Sequence, residues 1–321
     1  MLIEVAGCGV CHTDLGYADG HVATRAPLPL VLGHEIVGTV VEAGAGAEDR
    51  IGAAVLVPAV IGCGECDLCA AGRGNVCRHQ KMPGNDLDGG FATHVTVPAA
   101  GLATVGSLPD GYELADIAVV ADAVTTPLQA VRRAGVAQGD LAVVVGTGGV
   151  GTYAVQVAAA SGATVVAVDI AEARLTPLLE NGAAATVNSS GLSPRQVRDA
   201  VRDSAHDLGA PSTGWKIFEC SGSAAGQETA FGMLGPAGTL AVVGFTMDKV
   251  SVRLSNLMAF DADAFGSWGC PPERYPEAVE LVASGQVDLL PFIRKVPMAE
   301  VETALAAARD GSDPRRSILV P

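Results

Sequence analysis

Apolar and polar positions change their rhythm twice along the 321 residues. Up to about residue 123, short runs such as "IVGTVVEAG", "AAVLVP" and "FATHVTVP" alternate or stay apolar between Gly and Pro punctuation. That pattern predicts brief β segments joined by loops. In the middle third, "LAVVV" predicts a buried strand, "GTGGVG" a tight turn, "GVGTYAVQVAAASG" an apolar helix closed by Gly162, and "TVVAVD" a second strand. Further strands at "GWKIFE" and "GTLAVVG" extend this into an α/β region with a doubly wound parallel sheet. Near the end, "VETALAAARD" predicts a helix and "SILVP" a strand.

Composition adjusts this picture only slightly. The hydrophobic share of 49% is enough to fill two cores, and no run reaches the roughly 18 to 20 apolar residues that span a bilayer. A net charge of −15 argues against nucleic acid or an anionic membrane as partner, because both reward clustered Lys and Arg. Half of the eight cysteines fall in one cluster and the rest suit a reducing compartment, so the expected location is cytoplasmic.

That cluster is the sharpest chemical signal. Cys63, Cys66, Cys69 and Cys77 are spaced C-x2-C-x2-C-x7-C within "GCGECDLCAAGRGNVC". Four thiolates so close together suit one closed tetrahedral zinc better than a disulfide set, although iron–sulfur clusters use similar spacings. A second signal lies in the βαβ pattern, where Gly146, Gly148 and Gly151 form G-x-G-x-x-G with Gly149 and Val150 between them. Such glycines let the backbone approach a pyrophosphate at a helix N-terminus. Asp169 ends the second strand eighteen residues past Gly151, where an acid hydrogen-bonds the adenosine ribose. Its charge would repel a 2′-phosphate, which favours NAD over NADP. Cys8 to His12 also reads C-x-x-C-H, open to haem attachment or a redox pair, but no secretory pattern precedes it.

Taken together, the cysteine lobe, the glycine turn and the motifs "GCGVCHTDL" and "GHEIVG" resemble those of medium-chain, zinc-dependent alcohol dehydrogenases. The resemblance implies a GroES-like β-rich catalytic domain over residues 1–123, to which the chain is expected to return from about residue 262 to 321, a Rossmann domain over 124–261, two zinc ions per chain, and NAD. The catalytic zinc would be held by Cys11, by His34 and, where the family usually has a cysteine, by Asp122 of "DAVTTPLQA". Glu35 would exchange on and off the metal, and Asp14 would fix the His34 tautomer. Thr13 would accept the proton of the alcohol, with Gly16 standing where relatives often have a relay histidine. His12 and Arg316 match contacts to the cofactor pyrophosphate, and Arg174 a basic residue beside the ribose. The chain opens on "LIEVAGCGV", so the first strands of the family's catalytic domain are expected to be missing.

A finer resemblance lies in "KMPGN", "VVADAVTTP", "GWKIFE", "LMAFDAD" and "GSWGCPPERYPEAVE", which look like segments of 6-hydroxycyclohex-1-ene-1-carbonyl-CoA dehydrogenases. It implies oxidation of a secondary alcohol on an alicyclic hydroxyacyl-CoA to a ketone. Two other readings stay open: a zinc dehydrogenase of another small-molecule alcohol, and a non-catalytic nucleotide-binding relative. The expected assembly is a homodimer or homotetramer, without nucleic acid or membrane.

Overall fold

A computed structural model describes residues 1–321 and resolves into two compact units. The first comprises Met1–Thr125, Gly269–Gly285 and Leu289–Pro321, and the second Thr126–Trp268 with Gln286–Asp288. In chain order the strands are β1 (Leu2–Gly9), β2 (Glu35–Glu42), β3 (Ala54–Val57), β4 (His94–Thr96) and β5 (Ala103–Thr104) in the first unit. The second unit holds β6 (Leu141–Val145), β7 (Thr164–Asp169), β8 (Ala185–Asn188), β9 (Lys216–Glu219), β10 (Thr239–Val242) and β11 (Asp263–Gly266). The chain then returns to the first unit with β12 (Ile293–Pro297) and β13 (Arg316–Val320). No single helix is long and apolar enough to cross a membrane.

The first unit is a seven-stranded sheet ordered β12-β13-β1-β2-β3-β5, with β4 also paired to β1. Its inward positions follow the strand period of two: Ile3 and Val5 on β1, and Val55 and Val57 on β3, pack with Ile36 and Val40 in one apolar cluster. Full burial of each such side chain contributes about 1.5 to 3 kcal/mol. β1 pairs antiparallel with β2 and β13, so its carboxyl end at Gly9 delivers Cys11 beside the start of β2.

In the second unit the order is β11-β10-β9-β6-β7-β8 with every pairing parallel. The connections reverse direction between β6 and β9, and ligands of open α/β sheets bind outside the carboxyl ends of strands at such a switch point. β6 is buried along its whole length, as a central parallel strand should be. Helix formation is equally legible in Pro194–Asp207: Ser193 caps it through the Gln196 N–H, Pro194 fits its first turn, and Val197, Val201 and Ala205 recur at one face.

The return to the first unit comes later than the expected residue 262, because Asp263–Gly266 adds the sixth strand. Asp263, Ala264 and Gly266 are exposed there, so no apolar run announces it. Arg133 secures this edge instead, its guanidinium 4.3 Å over the Phe265 ring and 2.6 Å from the Gly266 carbonyl.

Candidate metal centres and dinucleotide turn

The cysteine lobe is built from turns rather than from a core. Cys66 precedes the short helix Asp67–Ala70, which carries Cys69, and the 3-10 turn Gly74–Val76 delivers Cys77. The sulfurs of Cys77 and Cys63 lie 3.5 Å apart, Cys66 lies 3.6 Å from both Cys69 and Cys77, and Cys63 is 4.0 Å from Cys69. Four sulfurs about 2.3 Å from one tetrahedral zinc sit about 3.8 Å from each other, so the lobe fits that ion. None of the eight cysteines is in a disulfide. Backbone N–H groups of Cys63 and His79 point at the Cys77 sulfur, that of Gly64 at Cys69. The Cys63 N–H foremost pulls the Cys77 thiol down to about 7, toward the thiolate that zinc requires.

The second cluster is drawn from distant segments, with Cys11, His34 and Glu35 buried and Asp122 half-buried. Cys11 has extended backbone at the N-terminus of the helix His12–Ala18. The Asp14 carboxylate accepts the Cys11 N–H at 2.9 Å and the Gly33 N–H at 3.2 Å, tying the end of β1 to the approach of β2. His34 directly precedes β2 and Glu35 opens it, both buried. Asp122 lies between the 3-10 helix Leu114–Ala121 and the helix Thr125–Arg133. Donor atoms of Cys11, His34, Glu35 and Asp122 all lie within 4.8 Å of one another, and His34 Nε2 is 3.6 Å from Asp122 Oδ2. On its other side His34 Nδ1 is 3.3 Å from Asp14 Oδ1, off the line of a good hydrogen bond.

Charge in this cluster is unbalanced. Burial raises the Glu35 carboxyl to about 7 against the pull of Arg316. Burial would lower the His34 pKa, yet Asp14, and then the Asp122 hydrogen bond, push it well above the ordinary value. Glu35 Oε2 is buried without a partner. One thiol and three carboxylates thus surround one imidazole and one guanidinium, a set whose excess negative charge a divalent cation would offset. Sulfur, nitrogen and oxygen donors in one cluster fit zinc.

Three expected residues take places of their own. Thr13 is half-buried with Oγ1 3.7 Å from Cys11 Sγ, while His12 is exposed at the first helical position. Arg316 lies buried on β13 in the first unit, donating to Glu35 Oε1 at 2.6 Å and to the Val10 carbonyl at 3.5 Å. A buried guanidinium takes the nearest carboxylate, and Glu35 is that carboxylate. Cys8, the other half of the C-x-x-C-H pattern, belongs to the apolar core of the sheet; burial raises its thiol and leaves it inert.

In the second unit the helix Gly151–Ala160 opens directly from the turn after β6. A Cβ on Gly151 would come 1.8 Å from the Gly146 carbonyl oxygen, and one on Gly146, whose φ is +86°, would strike Ser221 at 2.4 Å. Gly148 has nothing within 4 Å of the same construction, leaving its backbone open to an approaching phosphate. Asp169 accepts the Thr147 N–H at 2.7 Å and hydroxyl at 3.1 Å on one oxygen, and the Ala171 N–H at 2.9 Å on the other. Arg174 stands 3.9 Å from its Oδ1. The open Gly148 backbone and the buried acid at the strand end fit a dinucleotide. The role of Thr147 in holding Asp169 had no signal in the sequence, because it occupies a variable position of the glycine motif.

A β-rich unit carrying two zinc-like donor sets, together in one chain with a parallel α/β unit that has a dinucleotide turn, defines a metal-assisted nicotinamide oxidoreductase. Residues 1–109 match the model of the alcohol dehydrogenase GroES-like domain, and residues 149–284 that of the zinc-binding dehydrogenases. An alcohol dehydrogenase of Geobacillus stearothermophilus is 30% identical over 99% of this chain and 91% of its own. A D-arabinose 1-dehydrogenase (NADP(+)) of Saccharolobus solfataricus is 28% identical over 100% of this chain and 90% of its own. The crystal structure of galactitol-1-phosphate dehydrogenase from Escherichia coli superposes with a TM-score of 0.86 at 26% identity, covering 100% of this chain and 92% of that one. The chain belongs to the zinc-type medium-chain alcohol dehydrogenases. It is therefore an oxidoreductase acting on CH–OH groups, with zinc and a nicotinamide dinucleotide as cofactors.

Proposed function

We propose that this enzyme oxidises a secondary alcohol to a ketone with NAD, and that the alcohol is an alicyclic hydroxyacyl-CoA of the 6-hydroxycyclohex-1-ene-1-carbonyl-CoA kind. The observation that carries the reaction is the convergence of Cys11, His34, Glu35 and Asp122 within 4.8 Å. Cys11, His34 and Asp122 would hold the catalytic zinc, leaving Glu35 on Arg316, and Cys63, Cys66, Cys69 and Cys77 would hold a structural one. At that position zinc would supply acidification of the alcohol hydroxyl, and NAD would supply the hydride acceptor for its carbon. The carbinol thus loses a hydride and a proton, and becomes a carbonyl. Thr13 Oγ1 would accept a hydrogen bond from the alcohol hydroxyl and release its own proton toward solvent as that proton arrives, and Gly16 offers no imidazole to share the relay.

Asp169 supports NAD over NADP, because its charge opposes a 2′-phosphate even with Arg174 3.9 Å away. His12 and the backbone of Gly148, Gly149 and Val150 are proposed to face the pyrophosphate. The CoA thioester rests on the segments from "KMPGN" to "GSWGCPPERYPEAVE". The open edge of β11 supports a homo-oligomer, dimer or tetramer. Eight cysteines without a disulfide agree with a cytoplasmic setting.

A second reading, a polyol or sugar dehydrogenase, draws on the relatives that act on D-arabinose and galactitol-1-phosphate. A panel of alicyclic hydroxyacyl-CoA thioesters, their free acids, polyols and simple alcohols, each with NAD and NADP, separates the two. Preference for the thioesters is expected, and faster turnover of polyols would overturn the CoA reading. Asp169→Ala should lower the preference for NAD over NADP by about 10- to 100-fold, since a lost charge-assisted hydrogen bond is worth roughly 1.5 to 3 kcal/mol. An unchanged ratio would refute the role given to Asp169.

A further inference from the structure

Asp122 caps the carboxyl end of the 3-10 helix Leu114–Ala121, in the break before the helix Thr125–Arg133. Its backbone, at φ −140° and ψ −55°, interrupts two helical segments, so the regular helical ladder breaks at the Ala121 carbonyl. Two hydroxyls donate there. Tyr275 Oη donates to the Ala121 oxygen at 2.5 Å, and Thr125 Oγ1 donates to the same oxygen at 3.1 Å and to the Asp122 oxygen at 3.4 Å. Tyr275 Oη also accepts the Ala59 N–H at 3.0 Å. Ala59, Ala121, Thr125 and Tyr275 are buried, Tyr275 to 1% exposure, and Asp122 is half-buried.

One phenol therefore ties three stretches of the first unit together: the segment after β3, the residue before Asp122, and the late helix Tyr275–Ala283. A buried tyrosine needs a partner for its hydroxyl. Here the partner is the carbonyl of the Ala121–Asp122 peptide, at the break between the two helical segments. We propose that Tyr275, together with Thr125, is a positioning residue that holds Asp122 toward Cys11 and His34 and so sets the zinc affinity of the catalytic cluster. The inference rests on the reading of Asp122 as a ligand. The four-cysteine lobe, held by its own turns, is independent of it.

Tyr275→Phe keeps the ring but leaves the Ala59 N–H without its acceptor and the Ala121 carbonyl with one hydroxyl instead of two. Thr125→Val removes the other hydroxyl at nearly constant volume. Both variants are compared with the wild-type holoenzyme by zinc content per chain, chelator competition for the more labile ion, and the visible spectrum after cobalt substitution of that site. Loss of an outer partner of a metal ligand typically costs about 10- to 100-fold in affinity, and a weakening of this order with an altered cobalt spectrum and an intact lobe zinc is expected. Wild-type affinity and spectrum in folded Tyr275→Phe would overturn the proposal; should that variant not fold, Thr125→Val decides by the same two readouts. Asp122→Ala, measured alongside, separates the two layers of argument. Full zinc retention in Asp122→Ala removes Asp122 as a ligand, whereas loss there with retention in both hydroxyl variants removes only the positioning role.

Discussion

The cysteine lobe and the Cys11–His34–Asp122 cluster are both candidate zinc sites in the same unit, yet they are built by opposite means. The lobe takes four identical donors from one short turn-rich stretch and supports them with its own backbone N–H groups, those of Cys63, Gly64 and His79. The catalytic cluster takes unlike donors from the end of β1, the start of β2 and the break before Thr125, and supports them with side chains, chiefly Asp14 and Arg316. A local site closes around its ion, which suits structure. A site assembled from distant segments can leave a position for substrate, which suits catalysis.

The largest effect should come from breaking the closed site. The Cys66 sulfur is 3.6 Å from both Cys69 and Cys77, so Cys66→Ser removes a ligand that touches half of the set. Structural zinc contributes on the order of 10 kcal/mol to folding in small zinc domains, so the lobe is expected to lose its ion and become sensitive to proteolysis. Elemental analysis should fall from two zinc ions per chain to one. In the untreated protein a chelator should remove the catalytic ion first and abolish turnover before the fold is lost. Two zincs retained in Cys66→Ser would contradict the account of the lobe.

A smaller loss is expected from the open site. Asp122→Ala should weaken the labile zinc and lower kcat/KM by about 10-fold or more, while Asp122→Cys, which restores the commoner donor, should retain the metal. If Asp122→Ala keeps full zinc and activity, the carboxylate is not a ligand and Glu35, already within the same 4.8 Å cluster, is the better candidate.

How each site could be read from the sequence follows from the same contrast. Four cysteines within one stretch, and three glycines before an apolar helix with an acid at the next strand end, are local patterns, and local patterns survive in a linear text. Strands β2, β3, β6, β7, β9 and β10 were legible for that reason. β11 was not, because an edge strand with exposed residues carries no apolar run. The pairing of Arg316 with Glu35 spans 281 positions and depends on β13 lying beside β1, which no spacing encodes. Tyr275 is hidden similarly: the sequence marks its segment as distinctive, but only the fold brings its hydroxyl to the Ala121 carbonyl.

The smallest effect tests the outer support of the open site. Asp14 accepts the Cys11 N–H on Oδ2 and the Gly33 N–H on Oδ1, with His34 Nδ1 3.3 Å from that second oxygen. Asp14→Asn keeps the shape but turns one acceptor into an NH2 group, which must face either a backbone N–H or the imidazole. One buried donor is then left without an acceptor, at a cost of about 1 to 3 kcal/mol, and the carboxylate that orients His34 loses its charge. The variant should fold with a lowered melting temperature and its lobe zinc intact, while the affinity for the labile zinc and kcat/KM fall by up to about 10-fold. Equal weakening of both zinc ions would mean that Asp14 supports the unit as a whole, and the contrast between a self-supported lobe and a side-chain-supported cluster would fail.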